Sequence, residues 1–286
     1  MLVVSCTHPV KSGQFQMSQS FRELHARGNP FVLANAWDIG TARLFAGLGA
    51  QALATSSGAH AFTLGRSDLG TVTRDEALAH AEVIVSATSL PVSGDFENGF
   101  GDAPDIMEET VRLSAEIGLA GISIEDMSLP DSQPYGFDLA VERIRAASAT
   151  AKALPKDFVL VARADGFMHG AYDLDEAIRR IQAFEAAGAD CVYVPYLKDL
   201  ETVTKVCNSV SVPVNVGIST VEHVSLQDFA GAGVARISLG MAMATAANTA
   251  VYNISTSIFG HGDFSGLGSN LSYEIIDICV TRGGAK

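Results

Sequence analysis

Basic residues are in short supply in this chain. Nineteen Lys and Arg stand against 32 Asp and Glu, for a formal net charge of −13. Nucleic acids and anionic membrane surfaces are gripped by basic patches, so neither fits as a partner. Cysteine is sparse too: Cys6, Cys191, Cys207 and Cys279 show no CxxC spacing. Cys191 and Cys207 sit among apolar neighbours, which favours buried free thiols over disulfides and fits a reducing cytoplasm. No apolar run is long enough to span a bilayer, and the opening MLVVSCTHPVKSG lacks the basic start and long apolar stretch of a secretory signal. Residues 1–17 are expected to be a loosely held arm. No apolar run leads into GxGxxG, which weakens a dinucleotide-binding reading.

What the chain does have is apolar substance, 48% hydrophobic residues against 18% charged, enough for a well-filled core. A length of 286 residues suits one α/β barrel. From about residue 30 short apolar runs alternate with helix-period segments. The runs fall at 31–35 (FVLAN), 52–55 (ALAT), 91–95, 121–125 (GISIE), 158–163 (FVLVAR), 191–195 (CVYVP), 212–216 (VPVNV) and 234–238 (VARIS), eight in all. Helices are expected over 38–48, 73–86, 103–117, 139–153, 174–187, 199–208, 221–230 and 241–258. Thr73-Arg-Asp-Glu76 is a capping box, and Gly188 and Gly231–Gly233 supply stops. Strands apolar on both faces and separated by helices pair in parallel, and eight such units close into a (β/α)8 TIM barrel. The barrel is assigned to 18–258, and 259–286 to a tail docked on the barrel or on a neighbouring subunit. An open doubly wound sheet is the runner-up.

In such a barrel the chemistry gathers where the strands end. The third run leads into Asp95 and Glu97, the fourth ends in Glu125 and the fifth in Arg163. Buried carboxylates at neighbouring strand ends are costly unless something cationic sits among them. A hard divalent ion such as Mg²⁺ (or Mn²⁺) matches this oxygen set, with some of the acids acting through water. The rival is plain ion pairing with Arg163. Ser56, Ser57 and Gly58 offer hydroxyl and N–H donors in a tight turn, suited to a carboxylate or phosphate, or to nothing beyond the turn itself. Arg163 has the planar fork that matches a carboxylate. Trp37, the sole tryptophan, either walls the pocket or simply packs. His60 and His169 are expected as solvated loop residues.

These residues in this order resemble the isocitrate lyase/phosphoenolpyruvate mutase superfamily over about residues 20–258. The pieces that carry the resemblance are NAWD (35–38), TSSG (55–58), SDLG (67–70), GDFENGFG (94–101), ISIED (122–126), VARAD (161–165) and PVNV (213–216). The resemblance implies a (β/α)8 barrel, often tetrameric with the eighth helix exchanged between subunits, using Mg²⁺ or Mn²⁺ on small 2-oxo or 2-hydroxy acids. It assigns Asp95, Glu97 and Glu125 to the metal, Ser56, Ser57 and Gly58 to a carboxylate cradle, and Arg163 to the substrate. Asp68 stands where the family has an aspartate near the metal, and Asn215 at a polar pocket position.

One segment departs. Carbon–carbon lyases of the family carry a Lys-Lys/Arg-Cys-Gly-His loop, whereas residues 127–138 here read MSLPDSQPYGFD, without cysteine, histidine or lysine. The mutases' Lys-Asn-Ser loop is missing as well, and Tyr196 stands where the lyases hold a glutamate. The expected activity is thus cleavage or decarboxylation of a small 2-oxo or 2-hydroxy acid through a metal-stabilised enolate, with Tyr135 or solvent as proton source. The alternatives are a phosphonopyruvate hydrolase or mutase-like enzyme and a non-catalytic carboxylate binder. The expected partner is a small acid, with no nucleic acid or membrane, in a cytoplasmic homo-oligomer.

Overall fold

A computed structural model describes residues 20–218 and 224–285. The arm at 1–17, and with it Cys6, lies outside these residues, as does the start of the helix expected over 221–230. Eight short parallel strands close a barrel in the order β1 (Phe31–Asn35), β2 (Ala52–Ala54), β3 (Val92–Asp95), β4 (Gly121–Glu125), β7 (Val159–Arg163), β8 (Cys191–Tyr193), β9 (Val214–Gly217) and β10 (Arg236–Ser238). The eight sequence runs become these eight strands, and the open-sheet alternative falls away because β10 pairs with β1.

Period-two alternation divides each strand between two interiors. Phe31, Leu33, Val159, Val161 and Cys191 point into the barrel, where Phe21 and Leu24 pack with them. Their neighbours Leu53, Val92, Ile122, Leu160 and Val192 face outward into the larger core beneath the helices. Cys191 and Cys207 are buried free thiols, as expected.

Helix boundaries follow the local chemistry. Helix α1 (Ile39–Gly47) starts at an Asp38/Thr41 capping box, and α3 (Arg74–Ala87) at the Thr73/Glu76 box. Helices α4 (Pro104–Glu116), α5 (Phe137–Ala153), α6 (Leu174–Ala187) and α7 (Leu200–Ser209) cover the next strands, α6 stopping at left-handed Gly188. Two departures bear on the site. The Ser56–Gly58 segment, read as a tight turn, opens a short helix α2 (Ser57–Thr63) capped by Ser56. The segment at 127–138 is no open loop but a two-stranded ribbon, β5 (Met127–Ser128) against β6 (Gln133–Pro134).

At the C-terminus, α8 (Leu226–Gly231) precedes β10, and α9 (Ala242–His261) runs past the expected boundary at 258. Helix α10 (Tyr273–Gly283) packs on α1 of its own chain so closely that a Cβ on Gly47 would stand 2.0 Å from the Cys279 carbonyl oxygen. Among the described residues no helix is long and apolar enough to cross a membrane.

Candidate active site

Strand β3 ends on Asp95, and four donors converge on its carboxylate. Arg163 Nη1 reaches Oδ1 at 2.7 Å and Ser123 Oγ reaches it at 3.3 Å. The Ser57 backbone N–H and hydroxyl both donate to Oδ2, at 3.0 and 3.1 Å. Starting α2 at Ser57 is what turns that N–H toward the strand end, because the first N–H groups of a helix have no partner within it.

Arg163, at the end of β7, is held from two further sides. Its Nε and Nη2 form a bidentate pair with Asp165 at 2.9 and 2.5 Å, and Glu125 lies 3.4 Å from Nη2. Asp165 is itself fixed, its backbone N–H donating to Asp126 at 2.8 Å. Asp126 also accepts from Tyr172 at 2.7 Å and Arg180 at 2.8 Å. The pairing rival weighed for Arg163 is therefore real, and it serves to lock the guanidinium plane in one orientation.

Around Arg163 negative charge is in excess. Glu97, in a left-handed backbone conformation (φ 45°) just past β3, is buried and accepts from the Gly70 N–H at 2.9 Å. Burial, reinforced by the Asp95 and Asp68 carboxylates, pushes its carboxyl up to about 7. Burial likewise raises Glu125, with the Asp165 charge adding to it, and raises Asp68. Asp68 Oδ1 is buried without a hydrogen-bond partner among the described residues. Hard carboxylate oxygens clustered around Arg163, one of them orphaned among the described residues, fit a divalent cation. No three His, Cys, Asp or Glu side chains among the described residues are placed to ligate one ion together. The arrangement therefore suits an ion that keeps several of its waters, rather than a ready-made three-carboxylate shell.

Ser56, Ser57, Asp68, Asp95 and Arg163 line one cavity of about 480 Å³ at the mouth and upper interior of the barrel. Gly58 lies under its rim, where a Cβ would stand 2.6 Å from Asp68 Oδ2 and 2.5 Å from Met241 Sδ. Glu97 and Glu125 lie behind this wall. Asn215 is fully buried, with its amide bridging Ser238 at 3.0 Å and Arg236 at 2.9 Å.

Three expectations change. Trp37 is no cavity wall. It packs against the outer core with its ring edge-on to Phe45 (6.4 Å between centroids), and its carbonyl oxygen bonds His80 at 2.9 Å. Tyr135 is turned away from the cavity, its hydroxyl between Asp102 (2.6 Å) and Asn98 (3.0 Å) and its ring under Arg143. His60 is not solvated. It is buried in α2 and stacked on His80 at 3.8 Å, and burial pushes its imidazole down to about 4. His169 is exposed, as expected.

Among the cavity residues not singled out from the sequence are Tyr193 and Arg236. The alternation in CVYVP and VARIS was the signal. With Cys191 and Ser238 facing in, Tyr193 and Arg236 must face in too. Burial raises the Tyr193 phenol to about 12, and its ring stands 5.4 Å from the Arg163 guanidinium carbon.

The sequence profile of phosphoenolpyruvate phosphomutase matches residues 21–259. The 2-methylisocitrate lyase of Escherichia coli (strain K12) is 32% identical over 209 residues, 70% of this chain and 69% of that one. An oxaloacetate decarboxylase of Pseudomonas entomophila (strain L48) is 29% identical over 210 residues, 71% of each chain. A solved structure from Burkholderia cenocepacia J2315 is 42% identical and superposes with a TM-score of 0.86 over 91% of this chain and 94% of that one.

Proposed function

From the premise that the chain belongs to the phosphoenolpyruvate phosphomutase family, within the isocitrate lyase/phosphoenolpyruvate mutase superfamily, we propose a carbon–carbon lyase or decarboxylase acting on a small 2-oxo or 2-hydroxy carboxylate. The observation that carries this reading is Arg163, clamped by Asp165 and Asp95 on the wall of a cavity that Asp68 also lines.

Asp95, with Asp68, Glu97 and Glu125 acting through water, would hold Mg²⁺ or Mn²⁺. When bound, the ion supplies a Lewis acid for the oxygen on which enolate charge develops. The protein's own groups do the rest. Arg163 takes the substrate carboxylate on the face its own acids leave open, and Asp165 keeps that face from rotating. Ser56 and Ser57 bound the carboxylate end of the cavity, and Asn215 steadies Arg236 and Ser238 beneath it.

Proton delivery is reassigned. None of residues 127–138 lines the cavity, so the ribbon offers no replacement for the cysteine loop of the lyases. Tyr193 faces the cavity beside Arg163, and on that position it is the proposed donor to the enolate carbon, with water restoring the phenol.

The test is a substrate panel with Mg²⁺, containing oxaloacetate, 2-methylisocitrate, 2,3-dimethylmalate and longer 2-oxo acids, followed for pyruvate by proton NMR. Turnover that stops with a chelator and returns with Mg²⁺ is expected. Phosphonopyruvate, followed by phosphorus NMR, separates chemistry at phosphorus from chemistry at carbon. Tight binding of these acids with Mg²⁺ and no product from any of them would overturn the enzyme reading in favour of a binder.

A further inference from the structure

Arg236 is the buried cation that the site as described does not use. It stands in β10 with 4% of its surface exposed, facing into the barrel and lining the same cavity as Arg163. The other buried arginines have evident partners. Arg163 has Asp95 and Asp165, Arg180 has Asp126 and Glu176, and Arg143 has the Asn98 carbonyl and the Tyr135 ring, with its own Nη1 unpartnered among the described residues but outside the cavity lining. Arg236 has one neutral contact, Nε to Asn215 Oδ1 at 2.9 Å, and no carboxylate among the described residues pairs with it. Its Nη1 is buried with no hydrogen-bond partner among the described residues.

That contact sets the geometry. Asn215 donates from Nδ2 to Ser238 at 3.0 Å, which fixes its amide so that Oδ1 faces Arg236. With Nε engaged from the side, the guanidinium is left with its two terminal nitrogens, the end-on fork that matches the two oxygens of a carboxylate. A buried guanidinium without a counter-ion is unfavourable, and burial pulls its pKa down. Tyr193, Arg163 and Asp95 of the same cavity act on its charge, and Ser93 and Ser238 add hydroxyls to the lining. A single positive charge with hydroxyls suits a carboxylate better than a doubly charged phosphate.

We propose that Arg236 forms a second anion subsite on the cavity floor, which takes the distal carboxylate of a dicarboxylate whose first carboxylate meets Arg163. This rests on the reading of Arg163 above and narrows the substrate class to 2-oxo or 2-hydroxy dicarboxylates. Arg236 is then the residue that tells them from monocarboxylates of the same length.

The test uses matched ligands that differ only at the far end, malate against 2-hydroxybutyrate and 2-hydroxyglutarate against 2-hydroxyvalerate. Each is titrated calorimetrically into the Mg²⁺-loaded protein. One dicarboxylate of the two is expected to bind more tightly than its methyl-ended partner by about tenfold or more, the scale of a charge-assisted pair. In Arg236→Met that ratio should fall to near one, and Arg236→Lys should restore part of it. Asn215→Asp reads the same point without emptying the floor, since an internal carboxylate beside Nε should also erase the preference. A wild type without preference, or either neutralising variant that keeps it, overturns the subsite. Oxalate is the control for the site as a whole. If oxalate binds but the preference is missing, the floor subsite alone fails. If neither oxalate nor any of the four acids binds, the carboxylate reading of Arg163 fails and takes the subsite with it.

Discussion

Arg163 and Arg236 show what a residue's partners decide. Both are buried guanidiniums at the inner wall of one barrel, yet one is clamped between carboxylates and the other meets a single amide. At the same scale, His25 sits beneath the barrel floor, edge-on to Phe21 and Phe31, with Nδ1 on the Phe21 carbonyl at 2.8 Å. Burial, then the charge of Arg236, pushes its imidazole down to about 3. The unfolded chain takes up that proton near pH 6.5, so between the two values it binds more protons than the folded protein. Stability from this group is therefore present above about pH 6.5 and is lost as the pH falls toward 3. Urea midpoints at pH 7 and pH 5 should show the loss, and His25→Phe should remove at most about 2 kcal/mol of the difference. An unchanged difference would show that His25 titrates normally. Asp95, Glu97, Glu125 and Arg163 were legible in the sequence because each ends an apolar run. Tyr193 and Arg236 were not, because they lie inside runs, and only the inward phase of the strand gives them away.

At the scale of elements, the long helices were legible because capping residues and glycine stops state their ends locally. The short ones were not. SGAHAFT has too few residues to show a helical period, so α2 read as a turn, and its N-terminal hold on Asp95 went unseen. The segment at 127–138 offered polar and proline-rich residues typical of an open loop, but Tyr135 draws it in. Its N–H bonds the Asp126 carbonyl at 2.8 Å, and its hydroxyl reaches the Asn98–Asp102 turn. Leu129 and Pro130 then press on Gly70, whose N–H holds Glu97. The ribbon thus braces the acid cluster from outside. Two phenylalanine substitutions separate bracing from chemistry. Tyr135→Phe should lower stability by about 1–2 kcal/mol in urea titrations while product still forms. Tyr193→Phe should lower kcat by about 10²-fold with the fold intact by circular dichroism. The opposite pattern would return the proton donor to the ribbon.

At the scale of the whole molecule, the barrel is closed but its surface is not finished. Helix α9 starts on the cavity rim, where Met241, Ala242 and Thr245 form part of the lining, and then leaves the barrel with Ala244 as its one buried residue. Val251, Tyr252 and Phe259 are 64%, 69% and 87% exposed, and Phe264 and Tyr273 beyond the helix are 63% and 90% exposed. Exposed apolar side chains of this kind are what a partner interface would cover. A stable interface takes about 800 Å² from each partner, and the exposed parts of these four aromatic residues would supply a large share of it. The expected occupant is a second copy of this chain, with α9 seated against it as the exchange of an eighth helix requires. Light scattering behind gel filtration should give a multiple of the single-chain mass. Tyr252→Glu together with Phe259→Glu should shift it toward one chain. Because the start of α9 lines the cavity, loss of the assembly should also lower kcat/KM, although neither substituted residue touches the cavity. A wild-type protein that elutes as one chain would sink the exchange. An assembly unaffected by the double substitution would move the interface off α9.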